Sequence, residues 1–256
     1  MKWRWREKHT MNETLDIIFG RKSVRAFLDR EISEQDKRTI LEAAISAPSA
    51  GNQQLYTIID VIDDDKKKQL AVSCDNQPFI AEGKLVLVFC ADCKKWYDAY
   101  MDVGCGPRLP GTGDLMLAVS DAVIAAQTAV IAAESMGIGS CYIGDIMENC
   151  ETQRTILSLP EYVFPCAMLV FGYPTQQQID RQKPPRPDME LLVFTDEYPT
   201  LDASQRERIL YGKERGQEYS KWLDAFCRRK YNSDFSVEMT RSVEKYLSQY
   251  KAKKEE

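Results

Sequence analysis

The apolar positions of the chain change period several times. Between Glu34 and Ser46, Ile40, Leu41, Ala44 and Ile45 recur at three- and four-residue spacing, which predicts a helix. Ser33 stands just ahead of it as an N-cap, with Asp36 at the capping-box position. Thr14 to Phe19 predicts a shorter helix broken at Gly20, and "RKSVRAFLDREIS" between the two runs extended. Short apolar runs follow: "YTIIDVI" from Tyr56, "KLVLVFCA" from Lys84 and "CAMLVFGYP" from Cys166. Each predicts a strand, the second well buried. A charged helix, Asp64 to Ser73, lies between the first two.

The longest apolar run, "LMLAVSDAVIAAQTAVIAAESM" (Leu115 to Met136), predicts a central helix from Ala118 to Met136. Asp121, Gln127 and Glu134 would each be costly at mid-bilayer, and nearby loops show no basic bias, so a buried helix of a soluble protein is expected. After the third strand a proline-rich extended segment reaches Arg186, and the remainder from Leu201 is charged and helical. Trp222, Leu223, Phe226, Tyr246 and Leu247 there need a surface to cover them, on the core or on a second subunit. Helices alternate with strands, but three strands are few for a doubly wound sheet. An α+β domain with a small sheet wrapped by helices is expected. The expected segments are a basic leader apart from the fold (1–10), a core domain (11–195) and a helical extension (196–256) ending in a frayed tail.

With 256 residues the chain can bury a full core. A net charge of -5, with no basic stripe along any helix, argues against nucleic acid and membrane surfaces as partners. Eight cysteines are scattered mostly singly among apolar residues, and no secretory leader is apparent. They read as reduced thiols of a cytoplasmic protein. "CADC" (Cys90 to Cys93) has redox or metal spacing, but no second pair completes a tetrahedral site, so a strand end carrying two thiols is favoured. The one histidine, His9, falls in the leader, which removes Ser-His-Asp and Cys-His mechanisms. No metal site and no Walker-type loop is expected. "GCGPRLPGTGD" (Gly104 to Asp114) reads as a loop between helices. "GIGSCYIGD" (Gly137 to Asp145) follows a helix, the wrong order for a dinucleotide fingerprint, and alone would be a helix C-cap.

Three stretches suit one flat, anionic ligand. "GRKSVRAF" offers Arg21, Lys22, Ser23 and Arg25; in an extended segment Arg21, Ser23 and Arg25 share a face and Lys22 points away. "APSAGNQQ" puts small residues and amides at a helix end, and "GSCYIGD" lets a backbone approach a ring at Gly144. In this order, followed by Gly172-Tyr173-Pro174 and Arg186, they resemble the nitroreductase family of FMN-dependent oxidoreductases over about Leu15 to Leu192.

The resemblance implies a small mixed, mainly antiparallel sheet in a three-layer α/β/α arrangement, as a homodimer with FMN at the subunit interface. It implies that Arg21 and Ser23, with Lys22 beside them, hold the FMN phosphate and that Arg186 completes the clamp. Arg25 would lie at the N1/C2 edge, where a cation favours the anionic reduced ring. Pro48, Ser49 and Ala50, with Asn52 in the same turn, would cover the ring from the neighbouring subunit. Asn76 would bond the pyrimidine edge, and Ile143 and Gly144 would lie at flavin N5. No side chain is implied as an acid or base. The implied activity is hydride transfer from NADH or NADPH through FMN to an electron-poor small molecule such as a nitroaromatic, quinone or flavin. The alternatives are another reaction on the same flavoprotein (reductive dehalogenation or flavin breakdown), or a thiol or metal protein centred on Cys90 and Cys93.

Overall fold

The second predicted strand, β2 (Leu85–Asp92), is buried at every residue. Leu85, Leu87, Phe89 and Ala91 enter one apolar cluster, while Val86, Val88 and Cys90 enter another on the opposite face. A strand covered on both sides has no polar face to show, hence its unbroken apolar run. The computed structural model describes residues 12–211 and 218–251, so the expected leader with His9, and residues 252–256 of the expected tail, lie outside the described residues.

β2 pairs antiparallel with β1 (Tyr56–Asp60) on one side and with β4 (Val163–Gly172) on the other. β4 pairs antiparallel with β3 (Gly139–Ile143), giving the order β1-β2-β4-β3. Among the described residues the parallel element of the expected mixed sheet is a single bridge, Ser23 to Ser140. One face is covered by α2 (Glu34–Ile45) and the long α6 (Thr112–Ser135), the other by α3 (Asp64–Ser73), α4 (Phe79–Glu82) and α7 (Cys150–Leu157). This is the expected three-layer arrangement.

Several boundaries differ from the sequence reading, each for a local reason. β3 was not among the expected strands, because five residues beginning Gly-Ser carry little strand pattern of their own. β4 begins three residues before Cys166 and includes Pro165, which sits where the register with β2 shifts between Phe89 and Cys90. A bulge tolerates the missing N–H, and it turns Cys166 and Ala167 to the same cluster. α6 starts at Thr112, inside the expected loop, because Asp114 accepts the Gly111 N–H at 2.7 Å and caps it. A helix α5 (Lys94–Asp102) after β2, and α7, were not anticipated. Ser33 does cap α2, accepting from the Asp36 N–H at 3.0 Å.

The chain divides into two compact units. One runs to Arg181, just past α8 (Gln176–Asp180), and resumes at Glu238; the other is Gln182–Val237. Among the described residues, those from Glu238 onward belong to the first unit. Tyr246 and Tyr250 are buried, with rings 5.0 Å from Phe164 and 5.5 Å from Tyr162 respectively. The second unit contains α9 (Ala203–Leu210) and α10 (Tyr219–Lys230), and α11 (Asp234–Leu247) runs across its end. Trp222 and Phe226 stack with centroids 5.1 Å apart, and Tyr211 and Tyr219 join them, so aromatic contacts among half-buried rings hold this unit.

Candidate functional site

α1 (Glu13–Gly20) is capped by Asn12, whose side chain accepts from the Leu15 N–H, and it ends at Arg21. The chain then crosses the ends of β3 and β4. The Val24 N–H donates to the Ser140 carbonyl at 2.9 Å, and the Leu28 N–H to that of Tyr173 at 2.8 Å. Two glycines permit this crossing. A Cβ on Gly139 would stand 2.6 Å from Val24, and one on Gly172 would stand 2.7 Å from Phe27. With Val24 turned inward, Arg21 and Ser23 are half-buried and Arg25 is exposed.

The Nη1 atom of Arg21 is buried and has no hydrogen-bond partner. A guanidinium nitrogen removed from water without an acceptor is costly, so the position calls for an anion. Arg25 and Arg21 both act on the Cys141 thiol, which burial nonetheless pushes above its usual pKa. Lys22 is directed elsewhere: its ammonium donates to the carbonyls of Ile179 (2.6 Å) and Arg181, at the end of α8. Two of its three protons are thereby engaged. Arg181, which sequence reasoning did not single out, donates to the Ser23 carbonyl.

β3 delivers Ile143, which is buried, and Gly144, which is exposed. Gly144 is not in the left-handed region, and a Cβ built on it meets nothing within 4 Å. Neither backbone conformation nor internal packing demands glycine there. Beside it, the turn after α3 holds Asp75 and Asn76 at φ +62° and +50°. Gln77 pins this turn, its amide nitrogen donating to the Asp145 carboxylate at 2.7 Å and to the Cys74 carbonyl at 2.8 Å. Asn76 is thus brought next to the Gly144 turn, which in turn follows the strand bridged to Ser23. Arg21, Ser23 and Arg25 thus lie along β3 beside Cys141, while Ile143, Gly144 and Asn76 lie at the end of that strand away from Gly139.

The loop after α2 is anchored differently. Ser49 Oγ accepts from the Gln54 backbone N–H (3.1 Å) and side-chain amide (3.2 Å), and the Asn52 side-chain oxygen accepts from the same amide at 2.8 Å. The Ala50 N–H donates to Asp121 on α6, and Trp96 on α5 donates its indole N–H to the Gln53 carbonyl at 2.8 Å. These bonds run to α6 and α5, not to β3. Pro48 and Asn52 remain exposed, and Ser49 and Ala50 half-exposed. Arg186 belongs to the second unit, where its Nη1 donates to the Pro184 carbonyl at 3.2 Å. Cys90 and Cys93 face clusters on opposite sides of the sheet. Burial raises both thiols, Cys93 to about 12. That placement is incompatible with a paired dithiol or a shared metal, and the thiol-centred alternative falls.

A sequence model described as the nitroreductase family matches residues 18–173, a span containing every residue of this cluster. The chain belongs to the nitroreductase family. It is 32% identical over 225 residues to "FMN reductase (NADPH)" of Bacillus subtilis (strain 168), covering 84% of this chain and 90% of that one. It is 31% identical over 192 residues to "Oxygen-insensitive NADPH nitroreductase" of Salmonella typhimurium, covering 75% of this chain and 77% of that one. The solved structure of B. megaterium NfrA2 superposes with a TM-score of 0.77 at 30% identity, covering 92% of this chain and 98% of that one. As a nitroreductase-family member, this chain offers two features that fit FMN. The unpartnered Arg21 nitrogen suits a phosphate, and the open space over Gly144 suits the edge of a flat ring.

Proposed function

We propose that this protein is an FMN-dependent oxidoreductase that takes hydride from NADH or NADPH and passes it to electron-poor small molecules such as nitroaromatics, quinones or free flavins. The observation that carries this reading is the buried, unpartnered Arg21 nitrogen in a segment locked to β3, with Gly144 open at that strand's end. FMN, when bound, accepts and donates the hydride at N5.

The chain's own residues bind and orient. Arg21 and Ser23 hold the phosphate, with Lys22 bracing the segment through α8. Arg25 sets a positive charge where the reduced ring is anionic, and Asn76 offers an amide to the pyrimidine edge. Ile143 and Gly144 supply a close, small backbone surface at the ring. No acid or base is assigned, which agrees with a cluster made of cations, amides and glycine.

The active form is a homodimer with FMN at the subunit interface, where Pro48, Ser49, Ala50 and Asn52 cover the partner's flavin. A stripe of exposed apolar residues on α6 (Met116, Leu117, Val123, Ile124) supports this, as do Leu15, Ile18 and Phe19 on the adjoining α1. Patches of this kind mark contact surfaces. The protein works in the cytoplasm, a reading supported by eight free cysteines.

Purified protein should be yellow, should release FMN on denaturation, and should bleach anaerobically with NADH or NADPH. Arg21→Ala should weaken FMN binding by about 2 kcal/mol. A colourless protein that takes up no added FMN would refute the proposal, and a yellow one that neither nucleotide bleaches would point to a different flavin reaction.

A further inference from the structure

Asp121 lies mid-way along α6 and is only 3% exposed. A carboxylate withdrawn from water is costly unless donors meet it. Here the donors are backbone: the Ala50 N–H reaches Oδ1 at 2.9 Å and the Leu55 N–H reaches Oδ2 at 3.2 Å. One side chain therefore closes the loop between residues 50 and 55 like a clasp. Inside the clasp Gly51, Asn52 and Gln54 have φ of +57°, +55° and +46°. Asn and Gln pay roughly 1 kcal/mol or more to occupy that region, and they stay there only where the surroundings dictate it. A plain surface turn needs neither a buried charge nor two strained side-chain-bearing residues. Another face of the same helix carries the exposed Met116, Leu117, Val123 and Ile124.

We propose that Asp121 is a positioning residue that acts across the subunit boundary. From the core of one protomer it fixes the 48–55 loop in the shape that covers the flavin held by the other. This rests on the FMN homodimer proposed above. The carboxylate touches neither cofactor nor substrate and acts through the backbone of Ala50 and Leu55. Asp121→Asn keeps the shape of the side chain but sets an amide donor against one of the two N–H groups, which releases one anchor.

The test is FMN titration, read by quenching of flavin fluorescence and by visible circular dichroism. The samples are wild type, Asp121→Asn, Arg21→Ala and a mixed dimer of the two variants purified on two tags. Asp121→Asn should bind FMN about tenfold more weakly with an altered visible dichroism. The mixed dimer should hold one FMN with wild-type affinity, because one site then combines an intact Arg21 with an intact loop from its partner. Two weakened sites in the mixed dimer would mean the loop serves its own subunit, which overturns the proposal, as would affinity of Asp121→Asn within twofold of wild type. If Asp121→Asn does not fold, Trp96→Phe removes the neighbouring anchor on the Gln53 carbonyl and should give the same mixed-dimer pattern. Wild type that takes up no FMN, or binds it as a monomer, exposes failure of the underlying reading before any variant is compared.

Discussion

Glu148 shows how a single side chain here resists ionisation. It is 6% exposed, and its Oε1 has no hydrogen-bond partner. Burial, then the charges of Asp145, Asp75 and Glu238, push its pKa from the usual 4.5 up to about 8. A carboxyl whose folded pKa is raised adds stability fully below the unfolded pKa, and that stability is lost as pH rises through the folded value. Wild type should therefore lose on the order of 2 kcal/mol, relative to Glu148→Gln, between about pH 5 and pH 9. Denaturant unfolding of both proteins across that range checks it, and a constant difference would sink it. Asp121 is the contrasting case, because backbone donors meet its charge. Its sequence signal was an acid in the middle of an apolar helix, visible as a cost but not as a clasp, since the donors come from a loop some 66 to 71 positions earlier.

At the scale of elements, α11 finishes a helix it does not belong to. Asn149, just before α7, has φ +49° and turns its side chain to the Ser73 carbonyl, so it cannot cap α7 itself. Instead Glu238 accepts the Asn149 N–H at 3.1 Å and Ser242 Oγ accepts the Cys150 N–H at 2.9 Å. Ser242→Ala would leave a buried N–H without its acceptor, at a cost of about 1–3 kcal/mol in urea unfolding. An unchanged midpoint would show that the bond is dispensable. Arg241 bonds Glu151 and Glu238 and holds both at about 2, so this join should weaken as pH falls from about 4.5 toward 2. Elements with their own period or cap were legible in the sequence: α2 with Ser33, α3, β1 and β2. β3 was not, because Gly139 and Ser140 gain strand geometry only from β4. The bulge at Pro165 and the borrowed cap of α7 depend on residues distant in sequence, and no local pattern encodes them. The candidate residues at 21–25 and 143–144 stand out in the sequence because their types are chemically odd for surface turns. Gln77 and Arg181 were not, as each is an ordinary polar residue until the fold aims it.

Among the described residues apolar surface is left exposed along α6, where Ile124 is 42% exposed within a stripe repeating at Met116, Leu117 and Val123. A charge placed there should cost the proposed dimer far more than the protomer. Ile124→Glu should convert the proposed dimer to monomer in light scattering, with FMN affinity falling alongside. A variant that stays dimeric would move the interface to another face.

Gly144 differs from the other glycines of the site in what it answers to. Gly139 and Gly172 are dictated from within, since a methyl group at either would collide with Val24 or Phe27. At position 144 the polypeptide itself is indifferent, and alanine would meet only emptiness. On the proposed reading the reason for that bareness is a guest and not the fold, so damage there should be silent in every assay of folding and audible only in one that supplies the visitor.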